Sequence, residues 1–454
     1  MERRFREYDP DQLFLLPPSM REWLPEGHLV YFVSEVVDEF DLSAIKQSYM
    51  NGDGRGQPAY NPRMMSKLLL YAYCVGCASS RKIEQRTYED VGFRILAAGS
   101  HPDHDTICEF RRRHLEALCG LFLQVLELCR EAGLVKLGHV ALDGTKVKAN
   151  ASKHKAMSYG RMCKREETLV REVEDLLRRA EEVDAEEDRR YGKGVRGDEL
   201  PEELRFRETR LKKIREAKAA LEKEARERAR AEGKIDGDGK PVVPERGRKS
   251  KGEAGVPKPS AQRNFTDPDS RIMRDSSSKA FVQGYNAQAA VDASSQVIVA
   301  ADVTNEAVDR RQLEPMLEQI EENTGQVPKE MSMDAGYYSQ VNVVRLETRG
   351  TEALIPPEKR KHTEPELPAP RGRIPKELSV KERMRRKLRT KRGSAKYELR
   401  KQTVEPVFGQ IKQVRGFRTF LLRGLENVKG EWQLICTTHN LLKLYRSGCS
   451  LVGG

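Results

Sequence analysis

Between residues 136 and 446 the apolar residues switch repeatedly between a period of two and a period of about 3.6, and this switching limits the fold more than any other feature. His139-Val140-Ala141-Leu142-Asp143 is a short apolar run, and Gly144-Thr145-Lys146-Val147-Lys148 alternates after it, so the pair reads as strand, turn, strand. Tyr285 to Val291 and Gln296 to Val303 are two further extended runs, joined by Asp292-Ala293-Ser294-Ser295. Asp309 to Glu322 has helical spacing, Met331 to Asp334 reads as a strand, and Gln340 to Thr348 as a helix. Ala353-Leu354-Ile355 is a strand stopped by Pro356-Pro357, and a helical block follows from about 380 to 446. Elements in this order bury their apolar faces as an α/β layer around a mixed sheet with flanking helices.

One long stretch interrupts that order. Leu169, Val173, Leu176, Ala180 and Val183 step by four and three, and Leu204, Leu211, Ile214, Leu221 and Ala225 fit a second heptad frame beyond Gly192-Lys193-Gly194. The remaining faces are Glu, Arg and Lys, which suits two helices folded against each other and leaves little to bury against a globular body. Residues 233–270, rich in Gly, Pro, Lys and Ser, read as a flexible linker. Residues 1–135 read as helical throughout: Asn61-Pro62 opens one helix, Ser80 is placed to cap another running to Arg94, and Thr106-Ile107-Cys108-Glu109 has capping-box spacing. The expected organisation is an all-helical N-terminal domain at 1–135 with a capacity for DNA, and the first part of an α/β domain at 136–159. An inserted helical hairpin and linker follow at 160–270, then the rest of the α/β domain at 271–446 and a tail at 447–454.

A chain of 454 residues exceeds one ordinary core. No apolar run approaches the roughly 20 residues of a membrane span, and MERRFREYDPD lacks a signal-peptide core. The eight cysteines show no secretory pairing pattern, so a reducing, cytoplasmic setting is expected. Cys74-x-x-Cys77 has core-like neighbours and no second ligand pair, which argues against zinc. The net charge is +12, and the excess clusters between Arg371 and Lys401, where Glu377, Glu382 and Glu398 are too few to neutralise it. A clustered excess of this kind suits a polyanion.

Three acids are the candidates for chemistry. Asp143 closes the first strand ahead of Gly144, Asp334 closes a later strand ahead of Ala335-Gly336-Tyr337-Tyr338, and Glu405 opens the run Pro406-Val407-Phe408. Alone, each has an ordinary use in a turn or at a helix start. Brought together by two strand ends and a helix, they repel one another unless they hold hard cations, and Mg²⁺ prefers such oxygen ligands. Two ions about 3.5–4 Å apart clamp the attacking and leaving oxygens of an in-line phosphoryl displacement.

Ala141-Leu142-Asp143-Gly144-Thr145, Asp334-Ala335-Gly336-Tyr337 and Glu405-x6-Lys412 resemble the three signatures of bacterial insertion-sequence transposases of the Asp-Asp-Glu class. Asn61-Pro62 through Phe110-Arg111, including Pro102-Asp103-His104-Asp105-Thr106, resembles the helical N-terminal domain of many such enzymes, and Gly284 to Asp292 resembles their middle strand pair. The resemblance covers most of the chain except roughly 160–265. It implies a ribonuclease-H-like fold, with Asp143, Asp334 and Glu405 as catalytic metal ligands for Mg²⁺ or Mn²⁺. It also implies cutting at element ends, joining of the freed 3′-OH to target DNA, and double-stranded DNA as partner. A homodimer or higher oligomer in the synaptic complex and association with the nucleoid follow from the same resemblance. The class usually spaces its helix signature as Tyr, two residues, Arg, three residues, Glu. Here Lys401 stands four before Glu405, while Arg400 and Tyr397 are displaced by one. Four residues back on a helix is about 40° away and five back about 140°, so Lys401 is expected to share the face of Glu405 and Arg400 is not. Pro406 opposes helix at Glu405, and Lys412 returns to its face. The expected DNA contacts are Lys401, Lys412, Arg400, Arg385, Arg386 and Lys387, with His104 and His139 left to hydrogen bonding and packing. A nuclease of the same fold without strand transfer, and a non-catalytic DNA-binding derivative, are the rival readings.

Overall fold

The computed structural model describes residues 19–50, 58–191, 202–236, 254–275, 279–359 and 368–448, except 371, 373, 374 and 376. Helices α1 (Leu29–Glu39), α2 (Ser43–Met50), α3 (Pro62–Cys74), α4 (Ser80–Glu89), α5 (Val91–Leu96), α6 (His104–Arg113) and α7 (Leu115–Glu131) open the chain. Asn61 caps α3 as expected, its side chain accepting from the amides of Arg63 and Met64. Two of the expected caps differ. Ser80 is the first residue of α4 rather than its cap, the cap position being Ser79 without a side-chain bond, and the segment breaks at Asp90, whose carboxylate takes the amides of Gly92 and Phe93 and so starts α5. Helix α6 is capped by Asp103, which accepts from the Thr106 amide at 2.6 Å, because an Asp just outside the helix reaches a free donor that Thr106, inside it, cannot.

The sheet is built around β1 (His139–Lys148). The other strands are β2 (Ala156–Ser158), β3 (Gln262–Asn264), β4 (Arg271–Arg274), β5 (Phe281–Asp292), β6 (Ile298–Thr304), β7 (Glu330–Met333) and β8 (Glu352–Leu354). Their order is β4-β5-β1-β7-β8, with β6 also on β5. Strand β1 is continuous through Asp143-Gly144, not broken by a turn, because it pairs antiparallel with β5 from Val140↔Asp292 to Lys148↔Gly284. On its other side it pairs parallel with β7, but only from His139↔Glu330 to Leu142↔Met333.

Helices α8 (Tyr159–Tyr191) and α9 (Glu202–Ala231) form the inserted hairpin. It has its own small core of Met162, Leu169, Leu211, Ile214, Ala217 and Leu221, and the β2–β3 ribbon closes its root. Of the expected linker at 233–270, residues 237–253 lie outside the described residues, whereas Gln262–Asn264 is strand β3, tied to β2 by antiparallel pairing rather than left as linker. Beyond it come α10 (Leu313–Thr324), α11 (Gln340–Thr348), α12 (Val380–Arg389), α13 (Lys391–Gly409) and α14 (Leu425–Arg446).

Helix α14 packs on α7, α3 and β6 together, so one continuous core runs from Val30 to Leu444 and joins the helical region to the sheet. The helix is buried along most of its length from Val428 to Leu444, the polar Glu431, Thr437, Thr438, His439 and Asn440 included. Trp432 is fully buried and donates from Nε1 to the Gln288 carbonyl at 2.9 Å. Asn440 brackets Ile298, accepting from its amide and donating to its carbonyl, both at 2.8 Å, and thereby serves the first residue of β6 as a surrogate ladder partner. Trp432→Ala is expected to cost about 3–5 kcal/mol and to speed hydrogen exchange across the sheet and α14. Leu169→Ala should speed exchange only within the hairpin; an equal loss of protection in α14 would show that the hairpin is not energetically separate.

Candidate active site

The parallel ladder between β1 and β7 ends at Leu142 and Met333, so the next residue on each strand, Asp143 and Asp334, stands side by side with the other where the pairing stops. Carboxyl ends of parallel strands open into a crevice, the ordinary place for a ligand in an α/β sheet. Asp334 starts the 3-10 turn Ala335–Tyr337, its Oδ1 accepting from the Gly336 amide at 2.7 Å. Asp143 accepts from the Gly144 amide at 2.8 Å and from Arg400 Nη1 at 2.7 Å. Burial pushes the Asp143 carboxyl up to about 6; Arg400 pulls it down, while Asp334 and Asp309 push it further up.

Glu405 lies inside α13 rather than at a helix start. Pro406 has no N–H to give the Gln402 carbonyl, and Gln296 Nε2 supplies that hydrogen bond at 2.8 Å, so the helix continues through the proline. Thr403, Val404, Val407 and Ile411 make the buried stripe of this segment, and Arg400 extends the same stripe by three and four residues. Arg400 therefore points inward. Its side chain is 11% exposed, reaches Asp143, lies 3.8 Å from Glu405 and sits over the Tyr397 ring. Lys401 and Glu405 are both exposed, so they share a face as the spacing expects, but that face is not the one turned to Asp143. Lys412 follows in a π-helical turn, Gln410–Val414, and donates to Thr145 Oγ1 and the Lys146 carbonyl, both at 3.0 Å.

Glu405 thus joins Asp143 through Arg400 rather than directly, and among the described residues no three acidic, histidine or cysteine side chains stand close enough to hold a metal as they are. A fourth acid, Asp309, is beside this recess. It begins the 3-10 turn Asp309–Arg311 after β6 and pairs with Lys146 at 3.6 Å. In sequence it reads as an ordinary helix start; the one signal that marks it is its place after a third strand whose end borders the same sheet edge.

The basic stretch is less bare than its own acids suggest. Arg385 pairs with Glu358 at 3.0 Å, and Lys387 with Glu352 at 3.1 Å and the Ala353 carbonyl at 3.0 Å. Lys396 is held between Glu330 and Glu352. Acids from β7, β8 and the loop after β8 therefore offset charge that Glu377, Glu382 and Glu398 leave uncovered. Arg386 has a long contact, 3.4 Å, with the Gly372 carbonyl. His104 binds Glu84 at 2.8 Å and His139 binds Ser332 at 2.9 Å, both in hydrogen-bonding roles. Cys74 and Cys77 are buried and unbridged, and burial raises both thiols.

Two family profiles match the chain. One, described as Transposase domain (DUF772), covers residues 18–113, and the other, described as Transposase DDE domain, covers residues 256–441. No curated protein and no solved structure matches it. The first profile coincides with helices α1 to α6, and the second spans β3 to β8, Asp334 and Glu405. Asp143 lies between the two, on the strand that pairs with β7. With both profiles falling on the expected elements, the chain belongs to the insertion-sequence transposases of the Asp-Asp-Glu class, with a helical N-terminal region and a ribonuclease-H-like catalytic domain.

Proposed function

We propose that this transposase cuts phosphodiester bonds at the ends of its element and joins the freed 3′-OH to target DNA, with Asp143, Asp334 and Glu405 holding two divalent cations, Mg²⁺ or Mn²⁺. One observation carries the reading: carboxylates from adjacent parallel strand ends share a half-buried recess in which a single arginine offsets their charge only in part. The donor set fits a hard cation, being all oxygen and in negative excess. When bound, two such ions polarise the scissile phosphate and stabilise charge on the attacking and leaving oxygens.

The protein's own groups do the rest. Arg400, held between Asp143 and Glu405, keeps the acids apart from one another before an ion arrives, and its planar fork suits a phosphate once released. Lys412 ties the end of α13 to β1 and so fixes the height of Glu405 over the strand ends. Lys401, exposed on the Glu405 flank, and Arg385, Arg386 and Lys387 on α12 make up the basic face that meets the DNA backbone, the α12 groups exchanging protein partners such as Glu358 and Glu352 for phosphate. Pairing two element ends calls for at least two copies of the chain.

In an assay with end-containing duplex, supercoiled target and Mg²⁺, the wild type should give joined product, and Asp143→Ala should bind but neither cut nor join. Cutting without joining would replace the transposase reading with a nuclease. For DNA affinity, Arg386→Ala with Lys401→Ala should weaken binding to all sequences alike and flatten the log-affinity against log-salt slope by about 0.9 for each phosphate that is no longer neutralised; an unchanged slope would show that these charges do not touch DNA.

The raised Asp143 carboxyl has a consequence for stability. The folded chain holds this proton more tightly than the unfolded chain, so the contribution favours folding below the usual 3.8 and is lost as pH rises through about 6. At neutral pH the ionised group costs at most about 3 kcal/mol. Asp143→Asn should therefore melt higher than wild type at pH 7.5 in chelator, with the gain vanishing near pH 4. Mg²⁺ should narrow the gap by stabilising the wild type alone; equal melting of the two proteins at pH 7.5 would remove the charge strain.

A further inference from the structure

The turn that follows α13 reverses the ordinary placing of apolar and charged side chains. We propose that Val414 is an apolar wedge that enters the base stack of the DNA held beside the acids and unstacks one base step near the scissile phosphate. This rests on the transposase reading above, which puts duplex DNA at the ends of β1 and β7.

Val404, Val407 and Ile411 are buried at helical spacing, and a continued α-helix would bring residue 414 inward next. The π-helical turn Gln410–Val414 prevents this. Its closing hydrogen bond, from the Arg415 amide to the Gln410 carbonyl at 3.0 Å, spans five residues instead of four, so Arg415 takes the inward position and Val414 is turned out. Val414 is 77% exposed, the highest value for a large apolar side chain among the described residues, while Arg415 is 5% exposed. No carboxylate among the described residues pairs with the buried guanidinium. It donates to Thr438 Oγ1 at 2.8 Å and the Ile435 carbonyl at 2.9 Å, with a long contact to the Tyr73 carbonyl at 3.5 Å, and its Nε finds no acceptor. A singly exposed valine is ordinary. One turned out while an uncompensated charge is turned in is not, and π-turns often mark functional sites.

The turn is pinned from within. A methyl carbon on Gly76, just past α3, would collide with the Arg415 carbonyl, and the Phe417 amide bonds the Ile411 carbonyl at 3.0 Å. A stiff, β-branched side chain on a fixed backbone loses little freedom when it is inserted. Its surroundings select nucleic acid. Lys412, two residues earlier, reaches Thr145 and the Lys146 carbonyl. These lie about 7–10 Å along β1 from Asp143, or roughly two to three base-pair steps. Arg418 bonds the Lys412 carbonyl at 3.1 Å and the Gln413 side chain, and Lys148 is bridged to Thr419. Arg418 and Lys148 are exposed, and neither forms an ion pair among the described residues. A second copy presenting the same face would set these like charges against each other, whereas a phosphate backbone neutralises them. An apolar side chain carried into a groove by flanking cations unstacks a base step and kinks the duplex.

The test uses the full chain in chelator, so that DNA is bound but not cut. The probe is a duplex carrying one element end, with 2-aminopurine stepped through the positions flanking the cut. Wild type should raise the fluorescence at one step, because an unstacked 2-aminopurine is no longer quenched. Val414→Ser should give no rise, and Val414→Leu should keep it. An abasic gap at that step removes the unstacking penalty, so wild type should bind the gapped duplex about tenfold tighter than the intact one, and Val414→Ser should bind both alike. No rise at any step while wild type binds, or the same rise in Val414→Ser, would overturn the wedge. So would loss of self-association in Val414→Ser with its fluorescence unchanged from wild type, which would assign the residue to a second copy of the chain. A wild type that binds no duplex would instead sink the transposase reading, and the wedge with it.

Discussion

The pairing of β1 with β7 sets the rest of the site. Four parallel partners, His139↔Glu330 to Leu142↔Met333, hold the two strands in register, and the ladder then stops. Because neither chain continues the pairing, the next residue on each is free to turn its side chain toward open space while its backbone is still fixed by the sheet. A slip of one residue would turn Asp143 to the other face, where Gly144 now lets Gln288 and Asn286 pass. The long antiparallel pairing with β5 prevents that slip, and the β5–β1 pair is in turn braced by Trp432 of α14.

Charge balance follows from that placement. Asp143, Asp334, Asp309 and Glu405 face two cations, Arg400 and Lys146, both largely buried. The recess is therefore short of positive charge, and burial makes the shortage felt most at Asp143. Such strain is tolerable because the surrounding core is continuous: α14 fastens the helical region to the sheet, so stability stored far from the acids supports them. The inserted hairpin contributes none of this, having a core of its own.

Much of this was legible in the sequence. The strands at β5, β6, β7 and β8, the helix at Gln340–Thr348 and the hairpin all follow from period, while Asp334, read as the last residue of its strand, stands one residue past it as the cap of the next turn. Asp143-Gly144 misled because Asp-Gly ordinarily marks a turn, whereas here the glycine answers a crowd of side chains from β5 and Asp309. Helix through Pro406 was not readable, since the donor that compensates the proline is Gln296, on a different element. The inward aim of Arg400 was readable from the stripe Thr403, Val404, Val407 and Ile411, although the spacing from Glu405 alone points the other way. Asp309 was hidden for a different reason: its partners Lys146, Asn286 and Gln288 come from two strands that only the folded sheet brings beside it.

The most direct measurement is a crystal structure of the chain soaked in Mn²⁺, with anomalous scattering used to locate the ions. The expected map has manganese beside Asp143, shared with Asp334 on one side and Glu405 on the other, and Arg400 drawn away from the Asp143 carboxylate. Arg400 still bonded to Asp143, with no anomalous peak at the ends of β1 and β7, would contradict a metal centre at these acids.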